Sequence, residues 1–268
     1  MDQQLPPKQL HLPWLKSYGA THTGKKRTHN EDRYFLGKWA DQEAVLAVVA
    51  DGMGGAQAGE IAAEIAIEAF AQLLEKPLPE RDRDRYQLLR DSFYSTDREI
   101  REAAGQSFHR LGMGTTLVVA LFTPTHYLHL FAGDSRLYQF RKGKPLYATA
   151  DHSIVRLLQD LGKITPEDVP NHPMRSQLTS CLGGKEGNGE FSVDPQWDEQ
   201  ERPLYPLQSE DVFLLCSDGL HGLVSDERLS SLVEEWGEDV EQLTHQLLDR
   251  ALDAGGNDNI TALTVRLS

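Results

Sequence analysis

Apolar and polar positions alternate along the chain in a way that predicts a limited set of strands and helices. Apolar runs rich in β-branched residues at about 43–50, 115–122, 127–132, 136–141, 211–217 and 260–267 read as strands, several of them close enough to form hairpins or meanders. Between them the period lengthens to that of a helix. From Gly59 to Leu74, the residues Ile61, Ile65, Ala69 and Leu73 share one face; from Arg83 to Ala104, Tyr86, Leu89, Phe93 and Ile100 do the same. A shorter helix is expected over "SIVRLLQDLG", with Ser153 as N-cap and Gly162 at its end, and two more near 226–236 and 239–253. Adjacent strands alternating with pairs of helices do not describe a parallel βαβ array. They describe an α+β fold in which antiparallel sheets pack face to face with helices outside. The least regular stretch, rich in Gly, Pro, Asn and His from about 160 to 195, is expected to form a flap spanning about 155–195.

Length and composition narrow this picture. With 268 residues, 39% hydrophobic and 25% charged, the chain fits one domain over 19–268 preceded by a loosely ordered arm over 1–18. No run is long enough to span a bilayer, and "MDQQLPPKQLHLPWLK" lacks the basic and apolar regions of a secretory signal, so a cytoplasmic location is expected. Cys181 and Cys216 show no zinc or redox spacing, which suits a reducing compartment. A formal net charge of −14 argues against nucleic acid or an anionic membrane as partner. The local exception is "THTGKKRTH", where Lys25, Lys26 and Arg27 gather without an acid.

Candidate chemistry begins at "AVLAVVADGMGGAQAGE", a buried-type strand that stops on Asp51 before three glycines. The arrangement recurs at Asp134 after "YLHLFAG" and at Asp218 after "VFLLCS", while Asp32 and Asp258 sit beside strand starts. Each alone is ordinary turn chemistry. In antiparallel sheets, however, the end of one strand lies beside the start of its neighbour, so all these carboxylates can meet on one rim. Crowded carboxylates repel and raise one another's pKa, and hard divalent cations, Mg2+ or Mn2+, are the natural counter-charge for an all-oxygen set. A bare Gly52 would let its carbonyl approach an ion, Gly54 and Gly55 would allow the unusual turn, and Glu60 is expected to serve the helix start.

Eight segments in order, "RTHNED", "VVADGMGGAQAGE", "GMGTTLVVAL", "FAGDSRLYQFRKG", "DHS", "LTSCLGG", "LLCSDGL" and "GGNDNIT", resemble those of the metal-dependent PPM, or type 2C, protein phosphatases of bacteria. The resemblance implies a four-layer α-β-β-α sandwich and hydrolysis of phosphoserine and phosphothreonine in proteins by a hydroxide bridging two divalent ions. It implies Asp51 as the bridging carboxylate, Gly52 as a carbonyl ligand, Asp218 and Asp258 in one ion's shell, and Glu31 and Asp32 as ligand or acceptor for bound water. Asp134 resembles the residue that, with Asp218, takes a third and weaker ion, and Arg27 matches the arginine that grips the substrate phosphate. Phosphoprotein substrates, an opposing serine/threonine kinase and a monomeric state complete the expectation. The departures are Met53 where the eukaryotic branch has histidine, Ser180 where bacterial relatives often have arginine, and His22 where an acid is common. Two rivals are a catalytically silent phosphoprotein-binding module of the same fold and a metal-dependent phosphodiesterase or nuclease. Retention of the whole acid set weighs against the first, and the acidic surface against the second.

Overall fold

The computed structural model describes residues 6–54, 58–184, 191–200 and 202–268. In chain order its first strands are β1 (Lys8–His11), β2 (Leu15–His22), β3 (Asp32–Lys38), β4 (Val45–Met53), β5 (Gly114–Thr115), β6 (Leu117–Phe122) and β7 (His126–Ala132). They are followed by β8 (Arg136–Arg141), β9 (Lys144–Ala148), β10 (Leu182–Gly183), β11 (Tyr205–Pro206), β12 (Asp211–Cys216) and β13 (Ile260–Leu267). The helices are α1 (Ala58–Ala71), α2 (Asp82–Gly105), α3 (Ile154–Asp160), α4 (Asp218–His221), α5 (Asp226–Trp236) and α6 (Val240–Asp253). One sheet runs β1-β2-β13-β12-β8-β9; the other runs β10-β5-β4-β6-β7-β11, with β3 also paired to β4. The strand pairs are antiparallel.

The unbroken apolar run of β4 is explained by burial on both of its faces. Alternate residues of a strand point to opposite sides. Val45, Ala47 and Val49 enter the core between the sheets with Leu137, Phe213 and Leu263, whereas Leu46, Val48 and Ala50 face the layer formed by α1 and α2. On the far side α5 and α6 press Leu229, Leu232, Leu243 and Leu247 against Tyr138, Leu214 and Ala262. Three apolar cores therefore separate four layers, the α-β-β-α sandwich expected. Each fully buried aliphatic or aromatic side chain in them stabilises the fold by about 1.5–3 kcal/mol.

Two expectations are corrected. The arm over 1–18 is not loose where it is described: β1 pairs with β2, and β2 pairs along its whole length with β13, burying Leu15 completely. A division at residue 18 would cut through β2. Residues 1–5 lie outside the described residues. In α1 the core face is Ala62, Ala63, Ala66, Ile67 and Phe70. Ile61, Ile65 and Ala69 flank it, half-buried, because the small alanines let the helix settle close to the sheet. The flap region holds α3, a 3-10 turn over Pro166–Asn171 and β10, with 185–190 outside the described residues. Ser153 caps α3 by accepting the N–H of Arg156.

Candidate metal centre

Strand register brings the acids together. Asp32 at the start of β3 lies opposite Asp51 in β4. Cys216 ends β12, Ser217 turns the chain, and Asp218 opens α4. Asp258 stands just ahead of β13, the neighbour of β12. Ser217 and Thr261 exchange backbone and side-chain hydrogen bonds, which fixes the approach of the two segments. A methyl group on Gly219 would fall 1.9 Å from the Asn259 carbonyl, so the Asp218 turn reaches the Asp258 segment only because position 219 is bare. Asp134 follows β7, and its neighbour Ser135 shares a 2.6 Å hydrogen bond with Thr116, whose hydroxyl also accepts the Asp51 N–H. At Gly52 a methyl group would collide with the carbonyls of Gly59 and Glu31, at 2.2 and 2.7 Å. The glycine is thus required by the start of α1 packing on β4. Gly54 has φ of +142°, and Gly55 lies outside the described residues.

The carboxylates feel one another strongly. Burial, followed by the charges of Asp32, Asp218, Asp134 and Asp258, pushes Asp51 well above the ordinary range. Burial also pushes Asp32 up to about 7, although Ser217 and Thr261 each donate to its Oδ2 at 2.7 Å. Burial and Asp258 push Asp218 up to about 6, with a hydrogen bond from the Asp51 carboxyl holding it down. Burial and then Asp218 raise Asp134. Glu31 is raised by burial and lowered by Arg27 and by the Gly59 N–H at the start of α1.

Among the described residues no trio of His, Cys, Asp or Glu stands ready-made as a metal cage. Nevertheless the set fits hard divalent ions. Its donors are all oxygen, it carries more negative charge than its neighbours balance, and Asp32 Oδ1 and Glu31 Oε1 are buried without any hydrogen-bond partner. Repulsion spreads such side chains, and a cation between them would draw them together.

A pH dependence follows from the same shifts. These folded carboxyls bind protons more tightly than the unfolded chain, whose acids titrate near 4, so the stability they contribute is full below about pH 4 and is lost as pH rises through the folded values. In EDTA the melting temperature is expected to fall between about pH 5 and 8, with the steepest loss where Asp218 and Asp32 titrate, near 6 and 7. Saturating Mn2+ should remove that fall by favouring the ionised forms. Thermal melts across the range check this; a flat EDTA profile would mean the acids do not repel one another.

Arg27 lies at the edge of the cluster, half-exposed, with Nη2 donating to Asp258 Oδ2 at 2.7 Å. Its loop is fastened from below: Asn259 accepts the Glu31 N–H and donates to the carbonyls of Thr23 and His29. Arg33 donates to the Asn30 and Asp32 carbonyls and pairs with Glu60 and Glu64, tying α1 to the rim. Ser180 is buried and bonded to the Ser192 backbone in both directions, so its short side chain closes the base of the flap. His22 Nδ1 accepts the Gly24 N–H, and His152 pairs with Asp194. His221 lies against the Asp134 carbonyl, and burial lowers its pKa to about 4.

The sequence reading did not single out Asn259, Ser217, Thr261, Thr116, Ser135 or Arg33. A pocket of about 420 Å3 opens beside Asp134, Asp218 and Asp258, with Val169, Pro170 and Arg175 of the flap region on its other wall. A larger groove of about 830 Å3, lined mainly by α2, holds none of these acids. The smaller pocket is the chemically equipped one.

Comparison with known proteins places this geometry in context. The family profile described as protein phosphatase 2C matches residues 18–254. The serine/threonine phosphatase stp of Listeria monocytogenes is 31% identical over 246 residues, covering 91% of this chain and 93% of the relative. Among solved structures, the Mycobacterium tuberculosis serine/threonine phosphatase PstP/Ppp superposes with a TM-score of 0.80 at 32% identity, covering 95% of this chain and 99% of that one. The catalytic domain of PstP in complex with two manganese ions superposes with a TM-score of 0.77 at 29% identity, covering 95% and 98% of the two chains.

Proposed function

The chain belongs to the protein phosphatase 2C family, and we propose that its catalytic rim is built from Arg27, Glu31, Asp32, Asp51, Gly52, Asp134, Asp218 and Asp258. It is a metal-dependent serine/threonine protein phosphatase that uses Mn2+ or Mg2+. The observation that supports the site assignment is the convergence of carboxylates that raise one another's pKa around Asp51, with Arg27 at their edge.

Asp51 would be the carboxylate common to two ions, with the Gly52 carbonyl beside it and Asp218 and Asp258 completing one shell. Glu31 and Asp32 would serve the other ion, and Asp134 with Asp218 a third and weaker one. When bound, the ions supply Lewis acidity and bring water to a nucleophilic form near neutral pH. The chain supplies the rest. Ser217 and Thr261 occupy one oxygen of Asp32, which orients the other into the rim. The Asp51 and Asp218 carboxyls release the proton they share as cations load, so loading is favoured by rising pH. Arg27 presents a planar fork that pairs with two phosphoryl oxygens, a geometry lysine does not offer. The flap residues across the pocket meet the polypeptide that carries the phosphate.

Phosphoprotein substrates set the enzyme against a serine/threonine kinase. A cytoplasmic monomer is the state we infer. The three cores close within one chain, both cysteines are free thiols, and among the described residues no helix is long and apolar enough to cross a membrane. We place the phosphatase domain from β1 to β13, with the flap over about 155–195.

The direct test is turnover of p-nitrophenyl phosphate and a phosphothreonine peptide with Mn2+ and with EDTA. Hydrolysis of both with Mn2+ alone is expected, and an inert protein would sink the assignment. Asp134→Ala is expected to slow turnover by at least about tenfold while calorimetry still finds the two tighter ions; their loss would move Asp134 into the core shell.

A further inference from the structure

We propose that His221 is a positioning residue for the weaker cation site, holding the Asp134 backbone against α4 so that Asp134 and Asp218 face one ion. The inference rests on the reading of Asp134 and Asp218 given above and adds to it a residue outside the ligand set.

The geometry is direct. His221 Nε2 lies 2.9 Å from the carbonyl oxygen of Asp134. A carbonyl has no proton to give, so Nε2 carries the hydrogen and the histidine donates. Asp218 and His221 are the first and last residues of α4, three positions apart, which puts them on one side of its single turn. The same turn thus presents a carboxylate and, beside it, the donor that grips the other carboxylate's main chain.

The Asp134 loop has other fastenings: the pairing of β8 with β12 sets Arg136 opposite Cys216, two residues from each acid, and the remaining ones lead elsewhere. Gly133 exchanges hydrogen bonds with His152, which leads to the flap base, and Ser135 bonds Thr116, which leads to Asp51. Beyond the pairing of β8 with β12, the bond from His221 ties the Asp134 main chain to α4 itself. Asp218 is the foremost charged neighbour of Asp134. Repulsion would push the Asp134 loop away from α4 unless something held it, and a hydrogen bond to the backbone does so without consuming a carboxylate oxygen.

The test is Mn2+ titration calorimetry on wild type, His221→Leu, His221→Ala and His221→Gln, with the Mn2+ dependence of peptide turnover measured alongside. Leu keeps bulk and Ala removes it, so the comparison survives if one variant fails to fold, which melts in EDTA would reveal. Loss of the donor is expected to weaken the weaker binding step by about tenfold or more, to shift the Mn2+ needed for half-maximal turnover by the same factor, and to leave the tighter steps unchanged. Gln, whose amide N–H can reach the same carbonyl, should restore the weaker step. An unchanged weaker step in the donor-less variants overturns the proposal, as does equal loss of the tight and weak steps. Absence of Mn2+ binding and turnover in the wild type would instead overturn the underlying site assignment, which separates the two failures.

Discussion

Asp51→Asn is expected to lower turnover of a phosphothreonine peptide by about a thousandfold or more at saturating Mn2+, while raising the melting temperature of the protein in EDTA. The kinetic loss follows from the proposed role. An amide oxygen neutralises no cation charge, so a carboxylate common to two ions cannot be replaced by one without weakening both. Lewis-acid stabilisation of a phosphoryl transition state is worth several kcal/mol, and each 1.36 kcal/mol is a tenfold rate. The stability gain has the opposite sign because Asp51 is buried among Asp32, Asp218, Asp134 and Asp258. Asparagine cannot ionise and can still donate to Asp218 as the protonated Asp51 carboxyl does. The gain should therefore grow as pH rises, since the two side chains resemble each other only while Asp51 keeps its proton. Melts in EDTA and in Mn2+ read both halves of the argument. Unchanged activity and metal content would remove Asp51 from the centre, and a lower melting temperature in EDTA would show that repulsion there is not a cost.

The contrast between those two signs explains why some of this centre was legible in the sequence and some was not. β4 was readable because both of its faces are buried, which leaves an apolar run that stops abruptly at Asp51. The meeting of Asp32 with Asp51 followed from antiparallel pairing and is the observed register. β2 escaped notice because its buried apolar residues, Leu15, Tyr18 and Ala20, do not alternate, and small or polar residues fill the buried positions between them. Ser17 bonds the Leu10 carbonyl, Gly19 lies under the Tyr34 ring, and Thr21 joins Thr261 and Asn30. A strand filled with hydrogen-bonded small residues carries no alternation to detect. Residues 8–18 consequently read as an arm when they extend a sheet.

The fastening residues were hidden for a related reason. Ser217, Thr261, Thr116, Ser135 and Asn259 are short polar side chains whose partners lie on other segments, so their work appears only when the segments meet. Their one signal in the sequence is position: each lies within a few residues of a motif acid or glycine. Asp32 shows what they accomplish. Its Oδ2 receives two hydroxyl donors, and behind them Thr21 and Asn30 complete a chain of hydrogen bonds, while Oδ1 stays without a partner. A carboxylate satisfied on one oxygen only is oriented, and orientation costs stability that a loaded centre would recover.

Arg27→Ala is expected to lower kcat/KM for the phosphothreonine peptide by about a hundredfold, chiefly through KM, and Arg27→Lys by about tenfold. Net contributions of charge-assisted hydrogen bonds run at about 1.5–3 kcal/mol each, and the half-exposed setting of this guanidinium places a bidentate pair at the lower end of the sum. Lysine keeps the charge but loses the fork, so only part of the binding survives. A second measurement separates a phosphate clamp from a residue that merely orients a ligand. Arg27 is already paired with Asp258 at 2.7 Å. If its function were to position that acid, removing it would weaken Mn2+ binding; if it serves the substrate, its loss leaves Asp258 freer and more negative surroundings for a cation, so Mn2+ affinity should hold or rise. Arg27→Ala with a raised KM and undiminished Mn2+ affinity is the expected pattern. A normal KM with weakened Mn2+ binding would place the phosphate grip elsewhere on the rim and make Arg27 a support for Asp258.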